Sequence, residues 1–281
     1  MGGLLLGDNV SLTGVDLDAY CRRVGYSVPR TPTLSTLREL QRLQAAAIPY
    51  ESIDVRLGLG IDLTPAVVDA KLIGAGRGGY CFELNTLFLR VLLALGFRAE
   101  PLSARSRWRR PAHELVARTH MALRVRIDER DWLADLGFGS CMLTAPLDMR
   151  LQGPQETLHE PARLVPRAGE LRIERQLGGE WQPLYDLLLA PQEAVDLLAA
   201  NWLISTHPAS TFHEHLVISR TRDEVRHVLV DTRLTIRRKD ADVEYRDLDA
   251  AQLERSVVED FGLTMQESWR PLFAEIASRA R

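Results

Sequence analysis

Lysine is almost missing from this chain. Of 35 basic residues only Lys71 and Lys239 are lysines, and the arginines that make up the rest are scattered, not clustered. With 38 acidic residues the net charge is −3. A nucleic-acid surface needs basic residues gathered on one face, so pairs such as Arg109-Arg110 and Arg237-Arg238 read as solvated loop or strand-end charges. Long apolar runs are missing as well. Stretches such as Val91 to Leu95 are core-sized, far below the roughly 20 residues of a membrane span. The start, Met1-Gly2-Gly3-Leu4-Leu5-Leu6, lacks the basic lead of a secretory signal, and Leu6 stands where a myristoylation motif wants Ser or Thr. The expectation is a cytoplasmic protein with no nucleic-acid partner and no membrane.

Cysteine is scarce too. Cys21, Cys81 and Cys141 are an odd, widely spaced set, which suits a reduced compartment and excludes a disulfide framework or a tetrahedral zinc site. His213-Glu214-His215 supplies two metal-type ligands without a third, and no His-Glu-x-x-His pattern occurs, so no metal is expected. Gly78-Gly79 lacks the Lys-Ser/Thr ending of a phosphate loop. Gly137-Phe138-Gly139 lacks the third glycine of a dinucleotide fingerprint.

What is present is enough apolar material, 46% of 281 residues, to build a full core split into subdomains. The first part reads helical. Asp16 to Val24 has acidic residues ahead of basic ones, Thr33 or Ser35 can cap a helix carrying Leu37, Leu40, Leu43 and Ala47, and Thr64-Pro65 opens another toward Gly74. After Gly96 the period changes to two. Met121 to Ile127 alternates, Asp128-Glu129-Arg130-Asp131 reads as a turn into Trp132-Leu133-Ala134, and further strands are expected at 98–106, 171–177 and 181–185. Ala190-Pro191-Gln192-Glu193 opens a connecting helix. Strands at 215–220, 224–231 and 233–238 and helices at 248–261 and 266–280 complete the chain. The fold class is α+β, with the short strands suggesting a small barrel or sandwich.

The chemistry centres on Arg77-Gly78-Gly79-Tyr80-Cys81-Phe82-Glu83-Leu84-Asn85, a glycine loop delivering a thiol to a helix N-terminus. Unpaired N–H groups and the positive end of the dipole there favour a thiolate. By itself Cys81 reads equally as a small buried hydrophobe. A nucleophilic cysteine needs a base and a third group to orient it. Among His113, His120, His159, His207, His213, His215 and His227, His120 stands out because Thr119-His120 immediately precedes the alternating strand, although by itself it reads equally as a surface or satisfied histidine. Asp135 closes the strand that pairs with it, so a hairpin would bring the two together. Asp135 can alternatively be a plain strand-terminating residue before the Gly137 turn.

The blocks Arg77-Gly78-Gly79-Tyr80-Cys81-Phe82-Glu83, Thr119-His120-Met121 and Asp135-Leu136-Gly137-Phe138-Gly139 resemble the signature blocks of the arylamine N-acetyltransferases. Ile48-Pro49-Tyr50-Glu51-Ser52-Ile53 and the stretch from Asn201-Trp202 to Phe212 resemble two further segments of that family. The resemblance implies an N-terminal helical bundle, a central antiparallel β-barrel and a C-terminal α/β lid on a cysteine-protease or transglutaminase-like core. The corresponding divisions are 1–96, 97–189, a connecting helix at 190–206, and 207–281. It implies a Cys81, His120, Asp135 triad, pocket walls at Tyr50, Phe138 and Phe212, coenzyme A contacts at Thr119 and Gly139, and a buried Arg77–Glu51 ion pair.

The implied activity is acetyl-CoA-dependent acetylation of arylamines, arylhydrazines or N-hydroxyarylamines through an acetyl-cysteine, by a monomer or homodimer. Tyr50 replaces the family's usual Phe and Ser52 its usual Asn, which leaves acceptor preference open. Two other readings share the triad. One is an amide synthase that releases a polyketide chain from a carrier protein. The other is a cysteine hydrolase of transglutaminase type.

Overall fold

The chain enters the structure, a computed structural model that describes residues 14–279 except 112 and 240, through a run of capped helices. Asp16 accepts from the Asp18 and Ala19 N–H groups to start α1 (Leu17–Val24), and Thr33 accepts from Thr36 N–H to start α2 (Leu34–Ala47). A short strand, β1 (Tyr50–Glu51), and one turn of helix, α3 (Ile53–Arg56), follow. Pro65 opens α4 (Pro65–Asp69), which widens into π-type turns over Ala70–Gly74. The glycine loop then leads to α5 (Cys81–Ala94), buried at every position from Cys81 to Leu92. A helix buried on all sides and apolar apart from Glu83, Asn85, Thr86 and Arg90 belongs in the middle of a core, and α5 packs on β2 (Arg98–Ser106) and β3 (His120–Ile127).

Among the described residues the strands form two sheets. The larger adds β4 (Arg130–Ala134), β5 (Leu147–Asp148), β6 (Ala162–Arg167), β7 (Glu170–Leu177) and β8 (Glu180–Pro191), in the antiparallel order β5-β4-β3-β2-β8-β7-β6. The β3–β4 hairpin turns on Asp128 and Glu129, both with left-handed φ (45° and 54°), which tightens the turn expected from sequence to two residues. Gln155 draws the sheet's free edges together. Its side chain bonds the N–H and C=O of Asp148 on one edge (2.8 and 2.9 Å) while its backbone bridges Ala162 on the other. The result is a nearly closed barrel with Leu102, Ala122, Leu133, Ile173 and Leu187 inside.

The rest of the chain comprises α6 (Ala194–Thr206), α7 (Thr211–Glu214), β9 (Val217–Thr221), β10 (Val225–Val230), β11 (Arg233–Arg238), β12 (Glu244–Asp247), α8 (Ala250–Glu259) and α9 (Arg270–Arg279). Its sheet has the order β1-β9-β10-β11-β12, so Tyr50 and Glu51, early in sequence, pair with Ser219 and Ile218 of the last region. Ile53 joins the core of that region with Trp269 and Phe273. The α+β class is the one the sequence implied. The structure departs from the expected elements in several places: β8 runs on from the expected 185 to Pro191, and the helix begins only at Ala194 after Glu193; β1, β5, β6, β12, α3 and α7 were not foreseen; and Glu267–Trp269 is a 3₁₀ turn ahead of α9. Met1 to Leu6 lie outside the described residues. Among the described residues no helix is long and apolar enough to cross a membrane.

Candidate active site

Cys81 is the first residue of α5, with Tyr80 as its extended N-cap and the Glu83 carboxylate accepting from Tyr80 N–H at 3.0 Å. Glycines make this turn possible. A Cβ on Gly78 would meet Pro49 O at 2.2 Å, and one on Gly137 would lie 2.6 Å from Cys81 Cα. The barrel loop can therefore press against the nucleophile's own backbone only because residue 137 has no side chain.

His120 opens β3, and Asp135 lies one residue past β4. Their strands pair with Ala134 opposite Leu123, so Asp135 continues opposite Ala122, on the face shared with His120 and diagonal to it. His120 Nε2 and Asp135 Oδ2 are 2.8 Å apart, which leaves Nδ1 as the ring nitrogen not engaged by the carboxylate. Asp135 is fully buried. Burial works to raise its pKa, yet the charge and hydrogen bond of His120, with donors from Asn85 and the Gly137 N–H, hold it below the ordinary value of 3.8. The Cys81 thiol accordingly answers to opposed influences. Burial, then the Asp135 charge, push it well up, while the N–H groups of Phe82 and Cys81 at the helix start pull it down. An isolated thiolate is disfavoured there, and a thiolate opposite an imidazolium is the ionised form such a site can hold.

Seven of the residues singled out in the sequence line one cleft of about 710 Å³: Tyr50, Cys81, Thr119, His120, Phe138, Gly139 and Phe212. Its walls are aromatic. His120 stands edge-on to Phe138 (centroids 5.1 Å apart), and Phe212 sits 6.3 Å from Tyr50 and 6.2 Å from Tyr80. The Tyr50 ring lies where a Gly139 Cβ would come within 2.9 Å of it. Thr119 touches the thiol through its backbone, Sγ to O at 3.8 Å.

Arg77 and Glu51 are brought together outside that cleft, Nη2 to Oε1 at 2.5 Å, as part of a larger buried group. Arg77 also reaches Asp54 (2.8 Å) and covers the Trp269 ring (5.0 Å), and Lys71 bridges Asp54 (2.8 Å) and Glu83 (2.7 Å). Burial pushes Glu83 up despite Lys71.

Sequence reasoning missed three participants. Asn85, one turn after Cys81, donates to Met121 O (2.6 Å) and Asp135 Oδ1 (3.0 Å) and accepts from Leu136 N–H (2.9 Å). An amide four residues beyond the nucleophile in a mostly apolar helix was the available signal. Tyr185, fully buried, lies against His120 with centroids 4.9 Å apart. Lys71 is one of only two lysines in the chain, and nothing in its local sequence marked it. His213 and His215 do not converge on a metal geometry. His213 Nε2 meets Ser205 O at 3.1 Å and His215 Nδ1 meets Asp231 at 2.6 Å.

A family model described as N-acetyltransferase matches residues 33–270. The chain is 36% identical over 255 residues to an arylamine N-acetyltransferase of Mycolicibacterium smegmatis, covering 89% of this chain and 93% of that one. It is 37% identical over 204 residues to an arylamine N-acetyltransferase / N-hydroxyarylamine O-acetyltransferase of Salmonella typhimurium, covering 73% and 72%. The solved structure of Mycobacterium marinum arylamine N-acetyltransferase in complex with CoA superimposes with a TM-score of 0.89 at 34% identity, covering 94% of this chain and 99% of that one. By sequence and by fold, the chain belongs to the arylamine N-acetyltransferase family.

Proposed function

We propose that the protein transfers an acetyl group from acetyl-CoA to an arylamine, arylhydrazine or N-hydroxyarylamine through an acetyl thioester on Cys81. The observation that carries this reading is the buried contact of 2.8 Å between Asp135 and His120, the histidine that lines one cleft together with Cys81. The family's relatives supply the acetyl acceptor class, and the CoA-bound relative supports the acyl donor.

In the first half-reaction the Cys81 proton passes to His120 Nδ1, and Sγ attacks the thioester carbonyl. The new C–S bond replaces the carbon–sulfur bond to coenzyme A, whose thiolate leaves with a proton from His120. In the second half-reaction the amine nitrogen attacks the acetyl carbon, His120 takes a proton from that nitrogen, and Cys81 departs as thiolate. Asp135 keeps the ring oriented and stabilises the imidazolium. The N–H groups at the start of α5 are placed to stabilise the oxyanion. Tyr50, Phe138 and Phe212 form the flat apolar walls an aromatic acceptor needs, with Thr119 and Gly139 on the side assigned to coenzyme A. Arg77 and Glu51 support the loop below. Free buried cysteines suit a reducing cytoplasm.

The test is rapid mixing with acetyl-CoA alone. The reading expects a burst of free coenzyme A equal to the enzyme concentration, then turnover only when an arylamine is added. Steady coenzyme A release without any amine would instead mark a hydrolase.

A further inference from the structure

Away from the cleft, the barrel and the last region meet through two arginines that are almost fully buried. Arg175 of β7 is 2% exposed and Arg226 of β10 is 1% exposed. Among the described residues, Glu160 is the carboxylate within salt-bridge distance of either: it contacts Arg175 and lies 3.7 Å from Arg226 Nη1. Arg226 Nη2 donates to Met142 O (3.0 Å), but its Nε and Nη1, and Nη1 of Arg175, have no hydrogen-bond partner among the described residues. His159 adds no charge, because burial and the two guanidiniums hold it down to about 3.

Two permanent cations therefore share one carboxylate in a place closed to bulk water. Guanidinium groups do not shed a proton to relieve such an imbalance, and an unpaired buried charge costs far more than a paired one. Of the neighbouring groups, the Cys141 sulfur favours both charges while Arg237 adds positive potential to both, and neither supplies a second carboxylate. The unpartnered donors of two different elements define a cradle for one small negative group.

We propose that Arg175 and Arg226 bind a monovalent inorganic anion of halide size, which completes the junction between β7 and β10. Such an anion would also brace the turn that carries Phe138 and Gly139 into the cleft, because Arg226 holds Met142 at the end of that turn and Ser219 Oγ donates to Gly139 O at 2.7 Å.

The test uses the full chain in a non-halide buffer of fixed ionic strength, with sodium bromide exchanged for sodium gluconate. Melting temperature should rise saturably with bromide, and crystals grown in bromide should show one anomalous peak between the two guanidiniums. Glu160→Gln, which removes the competing carboxylate without shortening the side chain, should tighten bromide binding by at least about tenfold. Arg226→Met should abolish the bromide effect if it folds, and Glu160→Gln provides the decisive comparison if it does not. A melting temperature that follows ionic strength alone, the absence of the anomalous peak, or a peak with no stabilisation, meaning an adventitious ion only, would each overturn the proposal. None of these readouts depends on acetyl transfer, so their failure leaves the proposed activity untouched.

Discussion

The side-chain amide of Asn85 lies 3.0 Å from Asp135 Oδ1 and 2.6 Å from Met121 O, so the helix that begins with Cys81 is fastened directly to the strands that carry His120 and Asp135. One residue ties the nucleophile's element to the orienting pair. The three groups keep their spacing because α5 and the β3–β4 hairpin cannot slide independently.

Asn85→Ala should therefore leave Asp135 and the Leu136 N–H short of partners in a buried place, at a cost of about 1–3 kcal/mol. Denaturant titration should show that loss, and kcat should fall by more than about tenfold as the His120 ring loses its fixed relation to Cys81. Unchanged acylation by acetyl-CoA in a folded variant would remove Asn85 from the positioning of the site.

Gly137 marks a close approach between the barrel loop and α5. A methyl group there would sit 2.7 Å from Asn85 Nδ2 and 2.8 Å from Cys81 Cβ, so Gly137→Ala should destabilise the fold by about 1–3 kcal/mol and suppress acylation. Gly153→Ala is the control, since a Cβ there meets nothing within 4 Å. Thermal melts and single-turnover rates of the two variants should diverge sharply.

The Arg77 cluster is a stability element more than a chemical one. Removing the guanidinium in Arg77→Met takes the nearest cation from Glu51, which it meets at 2.5 Å, leaves Asp54 to Lys71 alone, and uncovers Trp269. Breaking a buried pair from one side costs about 3–5 kcal/mol. Lys71 still faces both carboxylates, so urea unfolding should register a loss below that figure, yet larger than for Arg233→Met, whose partner Asp247 is exposed on the surface.

Asp135 gives the acid side of the stability profile its sign. Its folded-state pKa lies below the ordinary 3.8, so the unfolded chain binds the proton more readily and the contribution of the ionised pair is present above that value. It is lost as pH falls through the folded pKa. Wild-type stability should drop below about pH 4, and Asp135→Asn should flatten that part of the curve while lowering stability at pH 7. Parallel acid limbs for the two proteins would show that the carboxylate is not held low by His120.

How much of this was legible beforehand follows from what each feature depends on. Cys81 at a helix start and the His120–Asp135 juxtaposition were readable because both rest on local rules, a glycine loop before an apolar run and a two-strand hairpin. The pairing of Tyr50–Glu51 with β9 was not, since two residues carry no period and their partner lies far along the chain. The same holds for Lys71, Asn85 and Tyr185. Their roles come from contacts across elements, and the Arg175–Arg226 junction joins strands of two different sheets. The helix expected from residue 190 began late because a β-bulge region of β8 ran on to Pro191 beside Leu102.

The central claim is that Cys81 carries the acetyl group, and intact mass spectrometry tests it most directly. Incubation with acetyl-CoA, then digestion, should show one acetyl adduct located on Cys81 and none on Cys21 or Cys141, and addition of an arylamine should discharge it. An absent adduct, or one that persists in Cys81→Ala, would contradict the account.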